Sequence, residues 1–151
     1  MANVSSLLHN KGQEVWSVSP DTTVFDALEL MAEKNIGAVL VMDGEALAGI
    51  LSERDYARKV ILLGKSSKDT LVSEIMTPRV LCVHADKGIR ECMALMTEKR
   101  IRHLPVLAND GRVIGVISIG DVVQAIIADQ EFTIAQLEHY IAGSDAMRFR
   151  T

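Results

Sequence analysis

The chain has few aromatic residues, cysteines and prolines and no long hydrophobic run, and these shortages limit the classes of protein to which it can belong. Only 4% of the 151 residues are aromatic although 48% are hydrophobic, so we expect an aliphatic core. Cys82 and Cys92 form no C-x-x-C pair, which predicts core thiols in a reducing compartment and no disulfide framework. Because no apolar run reaches about 18 residues, no membrane span is predicted. Residues 1–11 also lack the pattern of a secretory signal.

Basic charge and catalytic motifs are scarce as well. A formal net charge of −4 argues against nonspecific nucleic-acid binding, which needs a basic surface. The four histidines have no metal-ligand spacing, and the sequence contains no Walker loop, G-x-G-x-x-G, G-x-S-x-G or H-E-x-x-H. We therefore expect a globular cytoplasmic protein that is not an enzyme, without a membrane, nucleic-acid or metal partner.

What the chain does have is an internal repeat. Residues 18–55 and 83–121 share one pattern, offset by 65 residues at the start (83 − 18) and by 66 at the end (121 − 55). Each copy ends on Gly-apolar-apolar-Ser-x-x-Asp, so a duplicated signature predicts a duplicated site. The aligned pairs include Val18/Val83, Met31/Met96, Lys34/Lys99, Ile36/Ile101, Gly49/Gly115, Ser52/Ser118 and Asp55/Asp121.

The hydrophobic periodicity of each copy predicts a β-α-β-β-α unit. Helices are predicted over 24–34 and 89–99. The end of the chain is predicted as two helices, 118–129 and 133–142, with a polar, frayed tail after Gly143.

Two units this small cannot cover their own sheets, so we expect a mixed α/β (α+β) fold in which the two repeats pack sheet to sheet. The predicted organisation is repeat 1 at 4–64, a linker at 65–71, repeat 2 at 72–129 and a C-terminal helix and tail at 130–151.

Three motifs give the repeat a family resemblance: G-V-I-S-I-G-D at 115–121, R-H-L-P-V at 102–106 and M-T-P at 76–78. Together with the duplicated pattern, they resemble a tandem pair of cystathionine-β-synthase (CBS) domains over 4–129. The resemblance implies a Bateman module with two clefts related by a pseudo-twofold axis. It implies adenosyl ligands such as AMP, ADP, ATP, NAD or S-adenosylmethionine. It also implies a homodimer that regulates an unknown protein partner.

The two Ser-x-x-Asp boxes are the first candidate site residues. Ser52 with Asp55, and Ser118 with Asp121, have the spacing of a helix-start capping box, which needs no ligand. The same groups suit a nucleotide, because a carboxylate can accept from a ribose diol and a free helix start can bind phosphate. Both interpretations stay open at this stage.

The cations predict that the two sites differ. By resemblance, Arg102 and His103 line the central cleft and contact phosphate. Copy one has glycine and alanine there, and its cations come instead from Arg54, Arg58 and Lys59. We therefore expect unequal affinities, with a mononucleotide in one cleft and NAD or NADH in the other.

Apolar walls for adenine complete the candidate site: Val18, Ile36, Val83, Ile101 and Pro105. The sequence thus predicts a sensor that binds adenine nucleotides between its repeats and signals by a conformational change. The alternatives are an interaction scaffold whose boxes are only helix caps, and a nucleotide hydrolase.

Overall fold

Each half of the chain forms a three-stranded sheet flanked by helices, which confirms the predicted mixed fold and its duplication. The computed structural model describes residues 2–12 and 14–149, with side chains as far as residue 142. In each sheet the central strand pairs in parallel with the first strand and antiparallel with the third. The elements are α1 (Val4–Lys11), β1 (Ser17–Val18), α2 (Val24–Lys34), β2 (Ala38–Asp43), β3 (Ala46–Ser52), α3 (Glu53–Tyr56), α4 (Val72–Ile75), β4 (Val83–His84), α5 (Ile89–Lys99), β5 (His103–Leu107), β6 (Val113–Ser118) and α6 (Ile119–Phe149).

The central helix of each repeat has the predicted limits. The Thr23 hydroxyl accepts from the Asp26 N–H at 3.2 Å and caps the start of α2. The residues that follow α2 and α5, Asn35 and Arg100, both adopt the left-handed conformation, with φ of 54° and 55°. Both helices place apolar side chains at helical spacing against their own sheet, which is the signal that periodicity detects.

Two predicted helices differ from the structure. The helix expected from Ser52 to about Leu63 is α-helical only in α3 and continues as a π-helix over Ala57–Ile61. There the Leu62 N–H donates to the Ala57 carbonyl at 3.1 Å, five residues back. The C-terminal region is one helix, α6, rather than the two predicted, and Gly143 lies within this helix instead of closing it. The predicted tail is therefore helical through Phe149, and residues 150–151 lie outside the described part.

The helix that precedes each repeat packs on the other repeat. Val4, Leu7 and Leu8 of α1 are at most 7% exposed and belong to the hydrophobic core of the second repeat. α4 packs in the same way on the core of the first repeat, through Val72 and Ile75. Because helices of eight and four residues are too short to be stable alone, docking holds them in place.

Backbone hydrogen bonds fix this exchange at equivalent places. The Val4 N–H donates to the Lys87 carbonyl at 2.9 Å, and the Val72 N–H donates to the Thr22 carbonyl at 2.8 Å. The two repeats therefore share their cores and form one unit. Among the described residues, no helix is long and apolar enough to cross a membrane.

Candidate functional site

Both Ser-x-x-Asp signatures are capping boxes at the helix that follows the last strand of each repeat. The Ser52 N–H donates to Asp55 Oδ2 at 3.0 Å, and the Asp55 N–H donates to the Ser52 hydroxyl at 3.1 Å. In the second repeat, the Ser118 N–H donates to Asp121 Oδ2 at 2.8 Å, and the Asp121 N–H donates to the Ser118 hydroxyl at 3.1 Å. The capping interpretation is thus correct, and it leaves open whether each carboxylate also faces a cleft.

The first cleft lies between the two repeats and has a volume of about 460 Å³. One wall comes from the first repeat, where the chain passes from α2 into β2. The opposite wall comes from the second repeat, at the end of β6 and the start of α6. The end of α1 and the segment before β1 close the side. Its lining is Lys11, Gly12, Glu14, Trp16, Lys34, Asn35, Ile36, Gly37, Ala38, His103, Val116, Ser118 and Asp121.

Asp121, the aspartate of the second Ser-x-x-Asp box, lines the first cleft. It pairs there with a cation that the sequence did not predict. Lys11 Nζ donates to Asp121 Oδ2 at 2.6 Å and to the Val116 carbonyl at 2.7 Å. Burial disfavours the charged carboxyl, but the hydrogen bonds from Lys11 and Ser118 and the charge of Lys11 outweigh it. The pKa of Asp121 is therefore held below its ordinary value. The side chain remains 21% exposed to the cleft.

His103 lies between the two clefts and lines both. A β-carbon on Gly37 would lie 3.6 Å from His103 Nε2, so the imidazole fits against a position that has no side chain. Burial lowers the pKa of His103, the Lys11 charge lowers it further, and Asp121 opposes them. The imidazole is therefore neutral near pH 7.

Trp16 and Lys34 form the aromatic and cationic side of the first cleft. Lys34 Nζ lies 4.2 Å from the centre of the Trp16 ring, a cation–π distance. Trp16 is the only tryptophan of the chain. An indole face beside a carboxylate and two lysines offers a stacking surface, a diol acceptor and phosphate donors in one cavity.

The second cleft is related to the first by the repeat and has a volume of about 280 Å³. Its lining is mostly apolar and includes two cations, Arg79 and Lys99, and among the described residues it contains no carboxylate. Asp55 stands behind Thr77, whose hydroxyl donates to Asp55 Oδ1 at 3.3 Å. Lys59 Nζ also lies 3.2 Å from Asp55 Oδ1. The second lining is Ile50, Thr77, Arg79, Val80, Leu81, Lys99, Ile101 and His103.

The structure brings part of the predicted site set into the clefts. The predicted residues that line them are Ile36, Ile101, His103, Ser118 and Asp121.

The other predicted residues lie outside both linings. Val83 is 4% exposed in the second core and Val18 packs against the first. Pro105 is buried within β5. Among the predicted cations outside the linings, Arg58 and Arg102 are exposed, Arg54 is half-buried and Lys59 is held by Asp55. Ser52 and Asp55 form the cap behind Thr77.

Sequence reasoning missed most of the cleft cations. Lys34 and Lys99 are a matched pair of the repeat alignment, and each lies at the end of a helix that opens onto a cleft. Their duplication was therefore a signal that could have found them. Lys11 and Trp16 carry no such signal, because Lys11 reaches Asp121 across a separation of 110 residues.

Comparison with known proteins agrees with this architecture. The family model of the CBS domain matches residues 6–61 and 72–128. The chain is 40% identical over 150 residues to the mitochondrial CBS domain-containing protein CBSX3 of Arabidopsis thaliana, covering 93% of this chain and 72% of the relative.

Two solved structures illustrate the likeness. A protein with CBS domains from Burkholderia ambifaria MC40-6 is 53% identical, with a TM-score of 0.81 and coverage of 85% of this chain and 96% of that one. The CBS domain pair of protein MJ0100, solved with 5′-methylthioadenosine and S-adenosyl-L-methionine, is 22% identical with a TM-score of 0.73. It covers 83% of this chain and 99% of that one, and at this identity it supports the fold alone. With both repeats matched and the clefts formed between them, the chain belongs to the CBS-domain family as a tandem pair.

Proposed function

We propose that this chain is a regulatory module that binds an adenine nucleotide in the first cleft and signals the binding to a partner. The observation that carries the proposal is the convergence in one cavity of Asp121, Trp16 and two lysines, contributed by both repeats. A volume of about 460 Å³ lies within the range of small-molecule sites. The MJ0100 pair, which shares the fold, was solved with two adenosyl ligands.

Each group has a role that matches part of a nucleotide. The indole of Trp16 would stack on adenine, and the Asp121 carboxylate would accept from the ribose hydroxyls. Lys11 and Lys34 would bind the phosphates, since an ammonium is a strong donor to phosphate oxygens. AMP, ADP or ATP would fill this cleft, and NAD or NADH is the larger alternative.

The test is a calorimetric titration of AMP, ADP, ATP, NAD, NADH and S-adenosylmethionine into protein refolded to remove bound ligand. Asp121→Ala should abolish binding in the first cleft, whereas Asp55→Ala should affect only the second. Asp69→Ala is the control because this aspartate is exposed and outside both linings. If no adenosyl compound binds the wild type, the boxes are helix caps only and the module is an interaction scaffold.

Signalling requires that the ligand distinguish two arrangements of the repeats, because a ligand with equal affinity for both shifts nothing. The first cleft has one wall from each repeat, so a ligand that bridges the walls would favour one inter-repeat angle. The proposal includes no catalysis. Incubation with ATP or NAD followed by product analysis checks this, and turnover would favour the hydrolase alternative.

We also propose that a homodimer forms through α6. Val123, Ile127, Ile134, Leu137 and Ile141 follow steps of four, seven, three and four residues along α6, which is heptad-like spacing, and each is 39–57% exposed. Sedimentation should give a dimer for the wild type and a monomer for Leu137→Glu, with Gln136→Glu as the control. A monomeric wild type at high micromolar concentration would contradict this.

A cytoplasmic location is part of the same proposal. It is supported by two free thiols, Cys82 and Cys92, both with a pKa raised by burial. Cell fractionation with an antibody tests it, and an organellar signal, as the name of the Arabidopsis relative would suggest, would contradict it.

A further inference from the structure

Lys11 already pairs with Asp121, the carboxylate to which the proposed function assigns the ligand's ribose. Both hydrogen bonds recorded for the Asp121 side chain as an acceptor end on Oδ2, from Lys11 Nζ at 2.6 Å and from the Ser118 N–H at 2.8 Å. Oδ2 thus accepts from two donors. A ribose presents two neighbouring hydroxyls, and bidentate binding places one hydroxyl on each carboxylate oxygen. The second hydroxyl therefore competes with Lys11 for Oδ2.

Lys11 is free to leave this position without undocking its helix. α1 is held on the second core by Val4, Leu7 and Leu8, at the far end and middle of the helix. Lys11 is its last residue, and the chain turns immediately afterwards at Gly12 with φ of 101°. The Lys11 side chain is 40% exposed and lies at the cleft rim. Only its two contacts to Asp121 and the Val116 carbonyl need to break.

We propose that Lys11 selects phosphorylated ligands, by leaving Asp121 for the ligand's phosphate when a nucleotide occupies the first cleft. This inference rests on the proposed nucleotide binding and names the ligand class of that site. A phosphate replaces the anionic partner that Lys11 loses, so the exchange conserves a charge-assisted hydrogen bond. A neutral nucleoside such as adenosine or 5′-methylthioadenosine breaks the same ion pair and returns no anion to Lys11.

The charges around the cleft support this selection. The lining holds Lys11 and Lys34 against Glu14 and Asp121, so its formal charges balance before a ligand binds. Moving Lys11 onto a phosphate leaves Asp121 to the ribose and keeps every charged group partnered. With adenosine, the displaced ammonium has no anion other than Glu14 in the described lining. The cleft should therefore favour AMP over adenosine, and most of this preference should come from Lys11.

The experiment compares the affinities of AMP, adenosine and 5′-methylthioadenosine in wild type, Lys11→Met, Lys11→Arg and Lys87→Met. Lys87 is a matched control because it pairs with Glu91 on the surface of the second repeat, outside both clefts. Removing a charge-assisted partner from phosphate should weaken AMP about tenfold in Lys11→Met. Adenosine and 5′-methylthioadenosine should bind that variant as tightly as the wild type or more tightly, because Oδ2 no longer accepts from a lysine. Lys11→Arg should keep most of the preference for AMP.

The outcomes separate this inference from the proposed function. If the wild type binds AMP and adenosine equally, or if Lys11→Met weakens both by the same factor, the site stands and Lys11 does not select. If no adenosyl compound binds the wild type, both proposals fail. Thermal unfolding of each variant confirms that α1 stays docked, so that a loss of binding is not a loss of fold.

Discussion

The two clefts have closely similar cations but differ in their carboxylates. Lys34 and Lys99 occupy equivalent places, and each cleft has a second long cation, Lys11 in the first and Arg79 in the second. Asp121 lines the first cleft, whereas Asp55 lies behind Thr77. The sequence predicted an asymmetry of cations, and the structure places the clearer asymmetry in access to the carboxylate.

This difference shows that a duplicated motif does not ensure a duplicated site. Both aspartates make the same capping hydrogen bonds, so the repeat preserves the helix start. What surrounds the carboxylate comes from segments outside the repeat pattern. Lys11 reaches Asp121 from α1, while Thr77 reaches Asp55 from the segment after α4. The segments that precede each repeat therefore set how the two sites differ.

The largest expected effect concerns two glycines. Gly49 lies in β3 where the segment after α4 approaches, and Gly115 lies in β6 where α1 approaches. A β-carbon on Gly49 would lie 2.8 Å from the Thr77 carbonyl oxygen and 2.7 Å from Met76 Sδ. The same atom on Gly115 would meet only the Leu8 side chain, at 2.7 Å. Because a side chain yields more easily than backbone, Gly49→Ala should lower the free energy of unfolding by about 3 kcal/mol and Gly115→Ala by about 1.5 kcal/mol.

Urea unfolding measures both values. Gly120→Ala is the control, because its β-carbon would have only an ordinary contact of 3.6 Å with the Ser118 hydroxyl. A helical glycine replaced by alanine should stabilise by up to about 1 kcal/mol. A greater loss of stability in Gly115→Ala than in Gly49→Ala would show that α1 is held more rigidly on the second repeat than the segment after α4 is held on the first.

A second prediction separates the walls of the two clefts. Trp16 lines the first cleft, and Leu81 is its counterpart in the second. If adenine stacks on the indole, Trp16→Ala should weaken binding in the first cleft about tenfold or more, as base–aromatic stacking does elsewhere. Trp16→Leu, which copies the second cleft, should recover only part of the loss.

Calorimetry with AMP gives the affinities, and Leu81→Ala is the matched control in the other cleft. Because Trp16 is the only tryptophan, its fluorescence in the wild type also reports occupancy of the first cleft alone. Binding that leaves both the fluorescence and the Trp16→Ala affinity unchanged would place the base elsewhere.

The sequence predicted the limits of a helix where the spacing of its apolar residues alone determines them. α2 and α5 have the predicted limits because their apolar residues are spaced for one buried face. α6 was predicted as two helices, but one helix continues through the polar run at 129–131. An exposed helix tolerates such a run, and the side chains of 130–142 are exposed in the monomer.

The cleft itself depends on contacts that no local pattern encodes. Residues at capping positions were found because a capping box is local. Lys11 was not, because it reaches Asp121 only after α1 docks on the opposite repeat. Arg54 and Arg58 were chosen for their closeness in sequence to Ser52, and both lie outside the described linings. Sequence proximity to a motif was therefore a poor guide to position in the cleft.

A third prediction concerns a substitution that should make Asp55 as accessible from its cleft as Asp121 is from the first. Thr77→Ala removes the hydroxyl that donates to Asp55 Oδ1 and opens the path from the second cleft to the carboxylate. The backbone hydrogen bonds between Thr77 and Ile50, at 2.9 and 3.0 Å, remain. Loss of one hydrogen bond that competes with the ligand should raise AMP affinity in the second cleft about threefold.

Titrations in the Asp121→Ala background isolate the second cleft for this measurement. Thr77→Ser keeps the hydroxyl and should leave the affinity unchanged. Equal gains in both variants would show that the volume at position 77 matters and the hydrogen bond does not.

The smallest expected effect comes from His103, which the clefts share and for which the first repeat has Ala38. Burial lowers the pKa of His103 below its ordinary value of 6.5, and Lys11 lowers it further. The unfolded chain therefore binds more protons than the folded protein just below pH 6.5, so stability should decrease as the pH falls through that value. The loss should be about 0.5 kcal/mol by roughly pH 6 and absent in His103→Ala.

Asp121, whose pKa is also lowered, loses its contribution to stability only below its ordinary pKa value of 3.8, so the two pH windows do not overlap. Urea unfolding at a series of pH values measures the slope, and an equal slope in His103→Ala would assign it to another group.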